Sequence, residues 1–164
     1  MNNTFLLLGG NLDSPQKNIE IATQFISEQI GAIKLKSSIF KSKPWGFEAD
    51  SDFLNQVLEV ETILSPLELL QNTQNIEKQI GRSKKTKQGK YQSRPIDIDI
   101  LFYNEAIIET PHLIVPHPQL HFRNFTLVPL QEISPNFIHP KLKKSITWLL
   151  THSRDQSKII KISV

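Results

Sequence analysis

Residues 96–103, IDIDILFY, carry two acids inside a run that otherwise has the makings of a buried strand. With a period of two, Ile96, Ile98 and Ile100 share one face, while Asp97 and Asp99 share the other, about 7 Å apart along the chain. The isoleucine face can pack beneath helices. The acid face is the constraint, because isolated carboxylates are costly to bury and two side by side repel. A fold that accepts this strand must therefore offer one packed face and one face that meets cations. An edge strand with a solvated polar face would satisfy the same pattern without metal, and Asp-x-Asp alone does not decide between the two.

The rest of the chain supplies the packed face. Residues 4–8 (TFLLL) read as a short strand ending at Gly9-Gly10-Asn11. Ser14-Pro15 predicts a helix start, with Ser14 as N-cap and Pro15 in the first turn. Ile19, Ala22, Phe25, Ile26 and Ile30 follow at helical spacing, and Gly31 is expected to end the helix. Residues 33–41 alternate as one strand, KSKPWGFEADSD is a loop, and 53–63 form a better alternating strand. Ser65-Pro66-Leu67-Glu68 has the form of a capping box opening a helix to about Ile80. After strand 96–103 come a turn near Asn104-Glu105, a proline-rich stretch, and short helices around 125–132 and 142–152. The order β-α-β-β-α-β with a C-terminal extension predicts an α+β ferredoxin-like sandwich with an antiparallel sheet, whose uncovered face is left for ligands.

A chain of 164 residues with 38% hydrophobic and 21% charged residues is expected to form one domain spanning 1–164. No apolar run approaches the roughly 18 residues needed to span a membrane. The start, MNNTFLLLGGN, has neither a basic leader nor a cleavage-like tail, so no signal peptide is expected. The absence of cysteine rules out disulfides, thiolate chemistry and Cys-type zinc sites, and fits a reducing cytoplasm. The net charge is only +3, but Arg82, Lys84, Lys85, Lys87, Lys90 and Arg94 crowd a stretch without a single acid. Such a cluster is either a solvated loop or an attractor for a polyanion.

Arg94 lies three residues before Asp97, and His117 and Arg123 follow the strand. Carboxylates on a rigid strand beside arginines suit Mg²⁺ ions that also hold substrate phosphates. A second group, Trp45, Phe47, Phe53 and Asn55, could stack and hydrogen-bond a flat heterocycle. Two other classes fit parts of this pattern. A single-stranded RNA-binding sheet would use Phe53, Phe125 and the lysines but has no need of the acids. A metal-dependent nucleotidyltransferase or nuclease would use the acids, and nucleotidyl transfer would release pyrophosphate.

The motifs LGGN, PWGFEADSDFLNQV, TQNIEKQIGR, SRPIDIDILFY and VPHPQLHFRNFTLVPL, in this order over residues 4 to about 140, resemble those of the 6-hydroxymethyl-7,8-dihydropterin pyrophosphokinase family. The resemblance implies transfer of the β,γ-pyrophosphoryl group of ATP to the pterin hydroxymethyl group, leaving AMP, in folate biosynthesis. It implies that Asp97 and Asp99 hold two Mg²⁺ ions and that Arg94 and Arg123 act with them in catalysis. ATP would be bound by Gln74, Glu77, Arg82, Lys84, Tyr91, Arg94, Ile100, His117 and Arg123. The pterin would lie between Phe53 and Phe125, with Asn55, Asp97 and the chain at Ser42, Pro44 and Trp45 reading its edges. ATP and the pterin are the expected partners, with no nucleic acid and no membrane, and the protein is expected to be a cytoplasmic monomer. Segments 43–52 and 82–94 are long enough to act as lids. This chain departs from the family pattern at Gly10 for Ser, Phe53 for Tyr, Lys84 for Arg, Gln92 for a small residue and Pro95 for Thr, and none of these removes a metal ligand.

Overall fold

The computed structural model describes residues 1–43, 52–81 and 95–162. The elements through the first two thirds of the chain are β1 (Asn2–Gly10), α1 (Pro15–Gln29), β2 (Gly31–Lys36), β3 (Phe40–Ser42), β4 (Phe53–Thr62), α2 (Pro66–Gly81) and β5 (Asp97–Tyr103). β1 lies between β5 and β4, and β4 pairs on its other side with β2 and β3, every pairing antiparallel. With β2 and β3 counted together as the second strand, this is the ferredoxin-like sandwich expected from the sequence.

Three local expectations need correction. The predicted strand 33–41 is broken into β2 and β3. Lys36 pairs with Leu58 but Phe40 with Asn55, so the first strand advances one residue more than its partner. Ser37 fills the gap by exchanging hydrogen bonds with Val57: its N–H donates to the Val57 carbonyl, and its Oγ accepts the Val57 N–H, each at 2.9 Å. Ser14 occupies the cap position of α1 in a left-handed conformation, but its side chain makes no cap bond. Asn18 secures that end instead, its Nδ2 donating to the carbonyls of Leu12, Asp13 and Pro95 at 3.1, 3.0 and 3.3 Å. α1 stops just before Gly31 as expected, at Gln29 with Ile30 as its C-cap, but Gly31 itself belongs to the next strand. It opens β2, and a Cβ there would stand 1.8 Å from the Glu61 carbonyl oxygen.

The capping box forms as predicted. The Ser65 N–H donates to Glu68 Oε1 at 2.9 Å, and the Glu68 N–H donates to Ser65 Oγ at 3.2 Å. Hydrogen bonds from the Ser65 backbone N–H and, secondarily, its side chain hold the Glu68 carboxyl below its ordinary range. α1 and α2 cover one face of the sheet, where Leu6, Leu8, Leu58, Ile98 and Ile100 meet Ile19, Ile26, Leu69 and Ile76.

The other face is not left open as expected. After a small hairpin of β6 (Ile108–Glu109) and β7 (Ile114–Val115), the C-terminal extension folds across it as α3 (Asn124–Ile133) and α4 (Ile146–Thr151). Leu120, Leu127, Leu130, Ile146 and Leu149 pack there on Phe5, Leu7, Val57 and Leu101. α4 is shorter than the predicted 142–152 because residues 139–144 form a turn, with Lys143 at φ 61°. Ser145 then caps the helix by accepting the Trp148 N–H at 3.0 Å. The last strand, β8 (Ile160–Lys161), pairs with β3. A one-residue bulge in β5, from Ile100↔Leu6 to Phe102↔Phe5, turns Phe102 into this second core. No helix of the described residues is long and apolar enough to cross a membrane.

The second core contains a titratable group that links it to pH. His139 is buried, its Nδ1 accepts the backbone N–H groups of Lys141 and Leu142, and burial with the nearby charges of His121 and Lys141 lowers its pKa from 6.5 to about 4. A histidine with a depressed folded-state pKa stabilises the fold above 6.5, and that contribution is lost as pH falls from 6.5 towards 4. Thermal unfolding followed by circular dichroism should therefore show a lower Tm at pH 5 than at pH 7.5. His139→Asn, which keeps a local acceptor but does not titrate, should flatten part of that slope.

Candidate active site

The part of the second face that α3 and α4 leave open lies where β5, β1 and β4 begin to run out. Antiparallel register brings the acids into rows across the sheet: Asp97 beside Gly9, Gly9 beside Asn55, and Asp99 beside Leu7. Asp97 and Asp99 are half-buried and line one cleft with Asn55 and Phe53 from β4, Ser42 from β3, and Arg123 and Phe125 from the start of α3. The cleft encloses about 520 Å³, part of it open to solvent.

Each wall has a local cause. Asn55 is buried and crosses the floor to reach β1, its Nδ2 donating to the Leu8 carbonyl at 3.5 Å. That path exists because residue 9 is glycine: a Cβ there would sit 2.2 Å from Asn55 Nδ2. Arg123 stands at the N-cap of α3 in an extended conformation, with its guanidinium carbon 5.4 Å from the centre of the Phe125 ring, a cation–π contact that joins the two side chains. The Ser42 Oγ is buried with no hydrogen-bond partner among the described residues, a polar atom facing a cleft where a ligand could satisfy it.

A second cleft, about 620 Å³ with its open mouth, wraps around the exposed edge of β5. Asp99 belongs to both clefts, and Ile100, Leu70, Leu113 and His117 line the second. His117 is held to β5 by its N–H, which donates to the Leu101 carbonyl at 3.0 Å. Its Nδ1 accepts the Gln119 N–H at 3.1 Å, so the ring proton is assigned to Nε2. Burial, reinforced by the charge of Arg123, lowers its pKa to about 4, which leaves a neutral imidazole with an Nε2–H donor near neutral pH. Glu77 accepts the Ile98 N–H at 2.7 Å and so ties α2 to the start of β5. Gln74 is exposed on α2 and lines neither cleft.

Of the residues expected at the site, the fold brings together Ser42, Phe53, Asn55, Asp97, Asp99, Arg123 and Phe125 in one cleft, with Ile100 and His117 in its neighbour. Pro44, Trp45, Arg82, Lys84, Tyr91 and Arg94 lie outside the described residues, as do Gln92 and most of both expected lids. Leu7, Gly9 and Lys43 also line the main cleft and were not expected there. Gly9 and Leu7 could have been found by carrying the period of two along β1, but only once its register against β5 was known.

Hard carboxylate oxygens on one rigid face suit Mg²⁺. No group of three or more His, Asp or Glu side chains suited to a metal occurs among the described residues. Two carboxylates are what a Mg²⁺ site uses when phosphate oxygens and water complete its shell, so Asp97 and Asp99 fit that ion. An acid pair, an arginine and two aromatic rings lining one cleft can together hold a polyphosphate against a flat ring that bears a nucleophile.

The model of the 7,8-dihydro-6-hydroxymethylpterin-pyrophosphokinase (HPPK) family matches residues 5–135. A 2-amino-4-hydroxy-6-hydroxymethyldihydropteridine pyrophosphokinase of Aquifex aeolicus is 42% identical over 146 residues, 89% of this chain and 89% of that one. One of the same name from Haemophilus influenzae is 37% identical over 160 residues, 97% of each chain. A solved HPPK-DHPS structure from Plasmodium falciparum matches 92% of this chain at a TM-score of 0.76 and 18% identity, and the match spans 45% of that longer chain. The chain belongs to the HPPK family.

Proposed function

We infer that this protein transfers the pyrophosphoryl group of ATP to the hydroxymethyl group of 6-hydroxymethyl-7,8-dihydropterin, a step of folate biosynthesis, with AMP as the other product. The observation that carries the reading is one cleft lined by Asp97, Asp99, Arg123, Phe53, Asn55 and Phe125, which brings two carboxylates and a guanidinium together with two aromatic rings and an amide.

The pterin ring enters between Phe53 and Phe125, and the Asn55 amide and Ser42 hydroxyl meet its polar edge. This orientation leaves the hydroxymethyl group towards the acid face. ATP approaches from the edge of β5, with its ribose and base side in the second cleft by Ile100, and His117 donates through Nε2 to the phosphate chain. Asp97 and Asp99 are the residues that would hold the Mg²⁺ ions, two by the family resemblance. Mg²⁺ bound there would lower the pKa of the attacking hydroxyl and neutralise phosphate charge. Arg123, steadied on Phe125, binds the phosphates and stabilises the charge that develops as the group moves. Since no side chain forms a covalent intermediate in this reading, the protein contributes positioning and electrostatics.

The test is an assay with ATP, Mg²⁺ and the pterin in which nucleotide products are resolved. AMP and a diphosphorylated pterin are expected in equal amounts. ADP as the sole nucleotide product, or released pyrophosphate, would assign a different transfer.

A further inference from the structure

The segment after α4 is not needed for a β-α-β-β-α-β sandwich, and the family match ends at residue 135. Yet it reaches two walls of the cleft. At the first, Asp155 meets the start of α3: its Oδ2 accepts the Asn124 N–H at 2.8 Å, and Asn124 Nδ2 donates to the Asp155 carbonyl at 2.9 Å. Arg123 gives α3 no side-chain cap. Asp155 therefore caps the helix from 31 positions away, with its negative charge at the positive end of the dipole.

Asp155 is itself fixed. Its Oδ1 accepts the Ser157 N–H at 2.8 Å and the Ser157 hydroxyl at 2.5 Å, and its N–H donates to Ser153 Oγ at 3.2 Å. Burial alone would raise its pKa, but the hydrogen bonds from Ser157 and Asn124 prevail and hold it below its ordinary value. At the second wall, β8 pairs Lys161 with Phe40 and Ile160 with Lys41, beside Ser42. Lys161 Nζ also stands 3.0 Å from Glu132 Oε2 on α3, and Glu132 in turn accepts from the Ser38 N–H and hydroxyl.

Asn124 lies between Arg123 and Phe125, both of which line the cleft. We propose that Asp155 is a positioning residue for the transfer reaction: by fixing the Asn124 backbone it aims Arg123 at the phosphates and Phe125 at the ring. This rests on the functional reading above. It makes the C-terminal segment part of the active-site apparatus.

Asp155→Ala and the milder Asp155→Asn, which keeps one acceptor oxygen, test it against a control with a comparable loss of Tm far from the site. Thr62→Val serves as that control, since Thr62 Oγ1 donates to the Ile30 carbonyl at 2.7 Å at the opposite end of the sheet. In Asp155→Ala, the amides of residues 124–127 should exchange hydrogen faster. Its kcat per folded molecule should fall and its KM for the pterin rise, together lowering kcat/KM on the order of 10- to 100-fold. Asp155→Asn should recover part of the change in KM, and Thr62→Val should keep both constants. A purely structural role would lower only the folded fraction, so wild-type constants per folded Asp155→Ala molecule would overturn the inference alone. A wild-type chain that forms no AMP would overturn the functional reading as well.

Discussion

Asp97→Ala and Asp99→Ala should each lower kcat by about 10³-fold or more, while thermal unfolding stays close to wild type. The two halves of this expectation have separate causes. The stability of β5 comes from its other face, where Ile98 and Ile100 are buried against α1 and α2, and from its ladder with β1. Both carboxylates belong to the strand's opposite face, away from that packing. The proposed transfer would depend on both acids, because they line the same cleft as Arg123. Removing one carboxylate leaves a site with one hard ligand and an unchanged load of phosphate charge. Steady-state kinetics paired with calorimetric unfolding would check the prediction. A large fall in Tm with metal-free buffer would instead assign the pair a structural role.

Gly31→Ala should do the reverse. The added methyl would meet the Glu61 carbonyl oxygen at 1.8 Å, its carbon at 2.9 Å and the Thr62 Cα at 3.1 Å, all of them backbone at the first pairs of the β2–β4 ladder. No flexible side chain can move aside, so the strands must separate. Overpacking of this kind is expected to cost about 3 kcal/mol, which for a chain of this size corresponds to a fall in Tm of roughly 10 °C. The Gly31–Thr62 pairing lies at the end of the sheet away from the Gly9–Asn55 row. Below its own Tm, the variant should keep wild-type kcat per folded molecule. Denaturant titration and kinetics on the same preparation would separate the two effects.

The sheet and its two covering helices were legible because their signals are periodic and local. Alternation marks β4 and β5, helical spacing marks α1, and the reciprocal Ser65–Glu68 bonds form where the capping motif stands. The interruption at Ser37 was not legible: its hydroxyl stands in for a ladder bond only because β4 lies alongside, and the alternation of residues 33–41 continues through it. The covered second face was missed for a related reason. α4 has six residues and β6, β7 and β8 have two each, too short to carry a period. Their positions are set by contacts with the sheet.

The site divides in the same way. Asp97, Asp99, Phe53 and Asn55 sit on alternating strands, so their shared face follows from the period, given the pairing. Arg123 and Phe125 lie on a helix start whose placement depends on Asp155, which no local pattern connects to them. Ser14 was expected to cap α1, yet Asn18 holds that turn through three carbonyls, one of them at Pro95, two residues before Asp97. A cap motif predicts which residue types can close a helix. It does not predict which neighbouring chain will supply the bonds.

On the functional reading proposed above, the acid face of β5 holds cations between two substrates. Counting bound Mn²⁺ by electron paramagnetic resonance, with an inert ATP analogue and the pterin present, tests it most directly. Two ions per chain are predicted for the wild type, with loss of at least one in Asp97→Asn and in Asp99→Asn at unchanged secondary structure. The same count in all three proteins would contradict the account.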